Sequence, residues 1–422
     1  MSRCASTSRR STTDIVTAVG SGSAIVVGGG AWGLPAALGL QDRGWRVTLI
    51  ERFGPGNPSA STGGSTRLWR LADTQPWRAR SLVAARDAME RLGDRLGAPV
   101  FRRTGLLWRD DASLADVGAS LAAIGQPVER IAADRVAEVF PGLRPDGRDA
   151  LWVAEAGVVH LDGLLAGALD AFIAAGGEYL ADTRVTAVVP GETSARVRFA
   201  DGTERSADQV LLAAGPGTAE LLPGLELTLP LTPYIEQVVY VGDPELATTP
   251  AGTSHPAPDL PSLVDCMPAA PDAAGAYSAG VYAMPNGARG YKIGLDRPLR
   301  ALRDGSLGDD LDRTADPERT EAIRARVARD LTALVPRVLG TQVCTWTDSG
   351  DGDFVVGRTH PSVVLACGDS GEGAKYAAFM GEHLAALVAG AATDTEFDRH
   401  WNPRRFDGAS PARSGYSAIG RH

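Results

Sequence analysis

Apolar residues follow two rhythms along this chain, and the switches between them mark its elements. Ala24–Val27 is an unbroken apolar run, as a strand buried on both faces requires. An Ala/Leu-rich stretch follows, and a second apolar run, Val47–Ile50, closes on Glu51. Together these predict strand, helix, strand. Helical spacing returns in "RSLVAARDAMERLGDRLG" (80–97), and a further helix is predicted over 161–175. The stretch beginning "VTAVVPGETSARVRFADGTERSADQVLLAAGPG" reads as hairpin, strand, glycine turn and helix. Residues 226–300 alternate polar and apolar positions and are strand-rich, and the acidic stretch 316–338 predicts a helix. The block from Thr341 then runs strand, loop, strand, glycine-rich turn, helix. A second glycine turn opening a helix this late suggests that the chain returns to a ligand held by its first segment. No internal repeat is present.

A length of 422 residues with 44% hydrophobic content suffices for one large domain or two intertwined ones. The formal charge of −9, with no dense Lys/Arg block, argues against a nucleic-acid partner. No apolar run reaches the length of a membrane span. Cys4, Cys266, Cys344 and Cys367 are scattered, without disulfide-like spacing, and six histidines show no metal-ligand spacing. The expected setting is a soluble cytoplasmic protein without a metal, as monomer or small homo-oligomer. The Arg- and Ser/Thr-rich start lacks the apolar core of a secretory signal; it reads as a disordered tail or, less well, a transit peptide. The C-terminus carries no peroxisomal Ser-Lys-Leu address.

Gly28, Gly30 and Gly33 stand between the first strand and its helix, with Ala31 and Trp32 inside the motif. That context makes them a dinucleotide fingerprint: Gly28 for the tight turn, Gly30 for backbone approach to a pyrophosphate, Gly33 for helix-on-strand packing. Glu51 is placed for a ribose hydroxyl pair. The fingerprint alone fits either NAD or FAD. Two features favour FAD. "SASTGGSTRLWR", with Ser61, Thr66, Arg67 and Arg70, lies where a flavin protein needs loop contacts toward the ring, and the late turn with Gly371 and Gly373 needs a ligand long enough to be touched from both chain ends. Composition adds one more clue. Of 42 basic residues only two are lysine, Lys292 in "GYKIGLD" and Lys375 in "GEGAKYA".

The fingerprint, "STGGSTRLWR", "LAAGPGTAELL", "YKIGL", "VCTWT" and "GDSGEGAKYAAFMGE" resemble, in order and approximate spacing, the monomeric sarcosine oxidase family of the amine and D-amino-acid oxidase superfamily, over about residues 22–400. The resemblance implies an α/β fold in which a Rossmann-type FAD-binding domain (22–80, 151–225 and 340–400) is interleaved with an α+β substrate domain (81–150 and 226–339) built on a mixed sheet. Residues 1–21 and 401–422 would be tails. It further implies FAD joined through sulfur to Cys344, with Arg52, Val185 and Gly215 also at the cofactor.

In the same family pattern Lys292 activates molecular oxygen beside the flavin, and a compact buried ammonium suits that charge better than a broad guanidinium. Lys375, together with Arg70, would bind the substrate carboxylate. Arg67 would lie near the flavin, and Tyr282 and Trp346 would line the pocket. Two positions depart from the pattern. Asp296 and Glu372 stand where the family has histidines, and would hold an ammonium or hydroxyl of a larger substrate. The implied activity is FAD-dependent oxidation of the C–N bond of an amino acid or cyclic imino acid, giving an imine and hydrogen peroxide. The alternatives are a dehydrogenase with another electron acceptor, or a flavin-bound protein without turnover.

Overall fold

The computed structural model describes residues 21–247, 255–266, 280–391 and 395–408. Of the tails expected at 1–21 and 401–422, residues 1–20 and 409–422, Cys4 among them, lie outside that set, while Trp401 is buried at 2% exposure. Ser23–Val27 sits inside a six-stranded sheet, parallel to Arg46–Ile50 on one side and Gln209–Leu212 on the other. Its apolar run is explained by that position, since both faces are covered. Glu178–Leu180 extends the sheet at one edge, and Val363–Cys367 and then Val355–His360 extend it at the other, the last pair antiparallel. The late block of the chain thus returns to the first sheet.

Two helices show how tightly. Gly33–Gln41 packs on Ala377–Val388, and a Cβ on Gly381 would stand 2.6 Å from Pro35 Cβ. Trp32 Nε1 donates to the Gly373 carbonyl at 2.8 Å, joining the two glycine turns directly.

Among the described residues the second sheet has nine strands and is mixed, as expected. Ser262–Cys266 and Leu106–Asp110 run parallel, and the neighbours of each run antiparallel. At its far side Leu231–Val241 pairs along its whole length with Val338–Ser349. Ala150–Val153 also belongs here, so the boundaries expected at 151 and 340 fall inside strands of the second sheet. Thr66–Trp69, Gly157–His160 and Phe101–Arg103 form a separate small three-stranded sheet. The predicted hairpin is the sheet Val185–Val189, Ala195–Phe199 and Glu204–Ala207.

The helix predicted over 80–97 spans Pro76–Leu96, because proline is preorganised for the first helical position. Gly97 closes it at φ 68°, a left-handed cap that glycine adopts without strain. The helix predicted over 316–338 is shorter. Asp316 caps Pro317–Asp330 by accepting from the amides of Glu318 and Arg319. Pro336 cannot continue a helix, and the chain leaves it at Leu331 to pair with Leu143. Among the described residues no helix is long and apolar enough to cross a membrane.

Candidate active site

One long cavity opens at the carboxyl ends of the first sheet's parallel strands, where ligands of open α/β sheets bind, and runs under the second sheet. It holds about 1940 Å³ of empty space, its mouth included. At one end lie the three fingerprint glycines, each with a different task. Gly28 has φ 106°, donates its N–H to the Ile50 carbonyl at 2.8 Å, and would drive a Cβ to 2.2 Å from the Ala213 oxygen. Gly33 would put a Cβ 2.0 Å from the Gly28 oxygen, so helix and strand touch there through backbone. Gly30 is different: the nearest protein atom to its Cβ position is 3.6 Å away, and it faces the cavity.

No side chain caps the helix Gly33–Gln41, and its first turn contains no acid. Leu34 N–H already donates to the Gly30 carbonyl at 3.1 Å and Pro35 has none, so what this helix start offers a phosphate is chiefly its partial positive charge. Glu51 ends the second strand, lines the cavity, and accepts from the amides of Gly29 (2.8 Å) and Phe53 (3.0 Å). Ala31, Trp32, Arg52, Ser61, Val185 and Gly215 also line it. Open space at Gly30, an uncapped helix and an acid at the ribose position fit a dinucleotide. The cavity's continuation beyond them fits the longer flavin form.

At the other end the expected residues converge from both sheets. Arg67 is held by three carbonyls, those of Thr66 (2.9 Å), Ser61 (2.9 Å) and Gly63 (2.5 Å). Lys292, on Tyr291–Leu295, is 2% exposed and its Nζ donates to the Thr66 carbonyl at 2.7 Å. Burial, and then the Arg67 charge, push this amine well below the usual lysine range. No ion pair with Lys292 is formed among the described residues. Thr66 itself is not in the cavity wall; its hydroxyl accepts from Asn286 and its carbonyl positions Lys292. Cys344, half-buried on Val338–Ser349, lines the cavity opposite Glu236 of the paired strand. Tyr282 and Trp346 also line it, Trp346 packing on Tyr234 with ring centroids 4.8 Å apart. Gly294, the cross-strand partner of Tyr282, leaves room for that ring: a Cβ would lie 2.3 Å from the phenol.

Arg70 and Lys375, distant in sequence, meet in the wall at 4% and 5% exposure. Between them is Glu372. Its Oε1 accepts from Arg70 Nη2 at 2.6 Å and pairs with Lys375 Nζ at 2.6 Å. The carboxylate expected to meet a substrate's ammonium or hydroxyl is thus occupied with the protein's own cations. Burial, and then the Arg70 charge, bring the Lys375 amine down to about 8 against the pull of Glu372. Behind them Asp73 is raised to about 6 by burial.

Asp296 is the one expected substrate contact that the structure leaves outside the cavity wall. It follows Leu295, its N–H donates to the Gly280 carbonyl at 2.9 Å, and its Oδ1 is buried without a hydrogen-bond partner among the described residues. The backbone turns at the strand end and directs the carboxylate toward Gly280, whose Cβ position lies 3.1 Å from Oδ2. Two wall residues were not anticipated. Glu236 is 7% exposed, ion-paired to Arg319 at 2.7 Å, and raised to about 8 by burial. Its signal is a carboxylate inside the apolar strand "YIEQVVYV". Asp369 ties its own turn to the strand Val338–Ser349 and to the Ser61 loop, accepting from Thr347 N–H (3.2 Å), Gly371 N–H (3.0 Å) and Ser61 Oγ (3.4 Å). Gly373 closes the same turn: its Cβ would stand 2.8 Å from Asp369 Cβ.

Residues 23–387 match the family model described as FAD-dependent oxidoreductase. The chain is 28% identical to a monomeric sarcosine oxidase of Streptomyces avermitilis, covering 92% of this chain and 98% of that protein. Among solved structures it is similar to a mutant of NikD, an amino acid oxidase essential for nikkomycin biosynthesis, with a TM-score of 0.79 and 21% identity over 94% of this chain and 99% of that one. It is also similar to L-proline dehydrogenase from P. horikoshii, with a TM-score of 0.74 and 19% identity over 91% and 97% of the two chains. At these identities the structures speak for the fold alone.

Proposed function

Since this chain belongs to the FAD-dependent oxidoreductase family, we propose that it is an oxidase of the sarcosine oxidase type, acting on the C–N bond of an amino acid or cyclic imino acid and returning the electrons to oxygen as hydrogen peroxide. One observation carries this reading: a single cavity runs from the glycine fingerprint to a buried pair of cations, Arg70 and Lys375. When bound, the flavin supplies the two-electron acceptor that the amine's carbon needs. The chain's residues do the rest. Gly30, Glu51 and the uncapped helix would hold the dinucleotide, and Arg67 and Cys344 would stand at its ring. Arg70 and Lys375 would hold the carboxylate and so fix which C–H faces the acceptor. Tyr282 and Trp346 would wall the site from water. No residue is assigned as catalytic base, because an amine bound unprotonated needs none. Lys292 would stabilise charge on oxygen.

The test is spectroscopic. Acid precipitation of the purified protein is expected to leave yellow colour in the pellet, and Cys344→Ser to release it to the supernatant. Anaerobic addition of N-methyl and cyclic amino acids is expected to bleach the flavin, and air to restore it with stoichiometric peroxide. Bleaching without oxygen uptake would replace the oxidase reading by a dehydrogenase. A flavin that no amine bleaches would overturn both.

A pH dependence follows from Lys375. Its ammonium holds the carboxylate, and in the ligand-free protein that proton is lost as pH rises through about 8. Carboxylate affinity is therefore expected to be level below that point and to fall above it, by up to about tenfold per pH unit. Calorimetric titration between pH 7 and 9 measures it. In Lys375→Met the slope should vanish along with most of the affinity; a slope that persists would remove Lys375 from the binding role.

A further inference from the structure

Two cations assigned to a substrate carboxylate already hold a carboxylate. Glu372 Oε1 is 2.6 Å from both Arg70 Nη2 and Lys375 Nζ, and all three side chains are buried and line the cavity. This contact does not depend on a loose loop. Glu372 N–H donates to the Asp369 carbonyl at 2.8 Å, Lys375 N–H donates to the Glu372 carbonyl at 3.1 Å, and the Gly373 carbonyl accepts from Trp32. The backbone is pinned, so only the Glu372 side chain can leave. Arg70 is equally fixed, with Nη1 on the Ala72 carbonyl at 2.5 Å and its guanidinium over the Trp108 ring.

We infer that Glu372 is a specificity-determining residue, a resident carboxylate that a substrate's carboxylate must displace from Arg70 and Lys375. The inference rests on the reading of these two cations as the carboxylate site. Once displaced, Glu372 is a buried charge that has lost two ion pairs and gains from a new donor, because breaking a buried ion pair is strongly unfavourable. The N–H of an amino or imino acid supplies that donor. A plain carboxylate does not. The site therefore favours molecules that carry an N–H donor beside the carboxylate and disfavours simple acids that fit the same space.

Three ring compounds of nearly one shape separate these effects: cyclopentanecarboxylate, its neutral amide, and 1-aminocyclopentanecarboxylate, which has no α-hydrogen and so cannot be oxidised there. Each is titrated by calorimetry into the flavin-loaded protein. Wild type is expected to prefer the amino acid to the plain acid by about tenfold or more. Glu372→Gln should bind the plain acid about tenfold more tightly than wild type, with no gain for the amide or the amino acid. Glu372→Asp, which keeps the charge but shortens its reach, should move the same way by less and serves if the glutamine variant folds poorly. If Glu372→Gln gives no gain while Lys375→Met abolishes binding of the plain acid, the inference fails and the carboxylate site stands. If carboxylate binding is absent, or indifferent to Lys375→Met and Arg70→Met, the inference and the site both fail.

Discussion

Replacing Lys292 with methionine is expected to slow oxygen consumption by about 10²–10³-fold while leaving anaerobic bleaching by amines within a few-fold of wild type. The reason lies in how this amine is held. It is buried, it donates to the Thr66 carbonyl at 2.7 Å, and among the described residues no carboxylate pairs with it. Burial and the Arg67 charge both resist protonation there. An anion formed beside Nζ reverses that balance, because an opposite charge in a dry site favours the ammonium strongly. Oxygen acquires such a charge on reduction and the amine substrate does not, so the lysine acts on one half-reaction. Lys292→Arg is not expected to restore the rate, since a planar guanidinium cannot occupy the ammonium's place on Thr66 without disturbing Arg67 and Asn286. Stopped-flow mixing of anaerobically bleached protein with oxygenated buffer reads the oxidative half-reaction alone. Equal losses in both half-reactions would make Lys292 a substrate ligand instead, and an unchanged oxygen rate would remove its role.

The same two lysines show what a sequence can disclose and where it stops. Arginine serves this chain wherever a fork of donors is needed. Buried Asp265, for instance, accepts from Arg109 (3.3 Å), Arg148 (2.7 Å) and Arg326 (3.3 Å). Lysine remains only at two cavity positions, and residue type alone made both stand out. The first strand, its turn and its helix were legible because their signals are local: an apolar run, glycines at fixed offsets, an acid at the second strand's end. The strands of residues 226–300 were legible in their alternation, whereas the mixed sheet they join was implied by the family resemblance. The unread features depend on contacts between distant segments. Nothing near Glu372 announces that Arg70 will lie 2.6 Å from it. Likewise the side toward which Asp296 turns is decided by Gly280 across the sheet, and Glu236 is tolerable in an apolar strand largely because Arg319 arrives from a later helix at 2.7 Å. The overlong helix 316–338 is a different case, since Pro336 carried its own local warning.

Gly33→Ala and Gly30→Ala are expected to fail in opposite ways, though both add one methyl group to one turn. At Gly33 the new Cβ would meet the Gly28 oxygen at 2.0 Å and the Val26 side chain at 3.3 Å. The first of these is backbone, itself fixed by the Gly28 N–H bond to Ile50, so no rotamer change relieves it. The helix must move off the strand, at a cost of about 1–3 kcal/mol or more, and the positive helix start that would face the phosphate moves with it. At Gly30 the nearest protein atom is Thr62 Cγ2 at 3.6 Å, an ordinary contact, so the polypeptide should fold with stability close to wild type. The added methyl enters the space left for the dinucleotide. Thermal unfolding and the flavin-to-protein ratio of each purified variant separate the two. Gly33→Ala should lose stability and flavin together, whereas Gly30→Ala should keep its unfolding temperature without flavin and lose retention by about tenfold or more. A Gly30→Ala protein that stays fully yellow would place the ligand away from this turn. An unfolding temperature unchanged in Gly33→Ala would mean that the helix is not seated on the strand through Gly28.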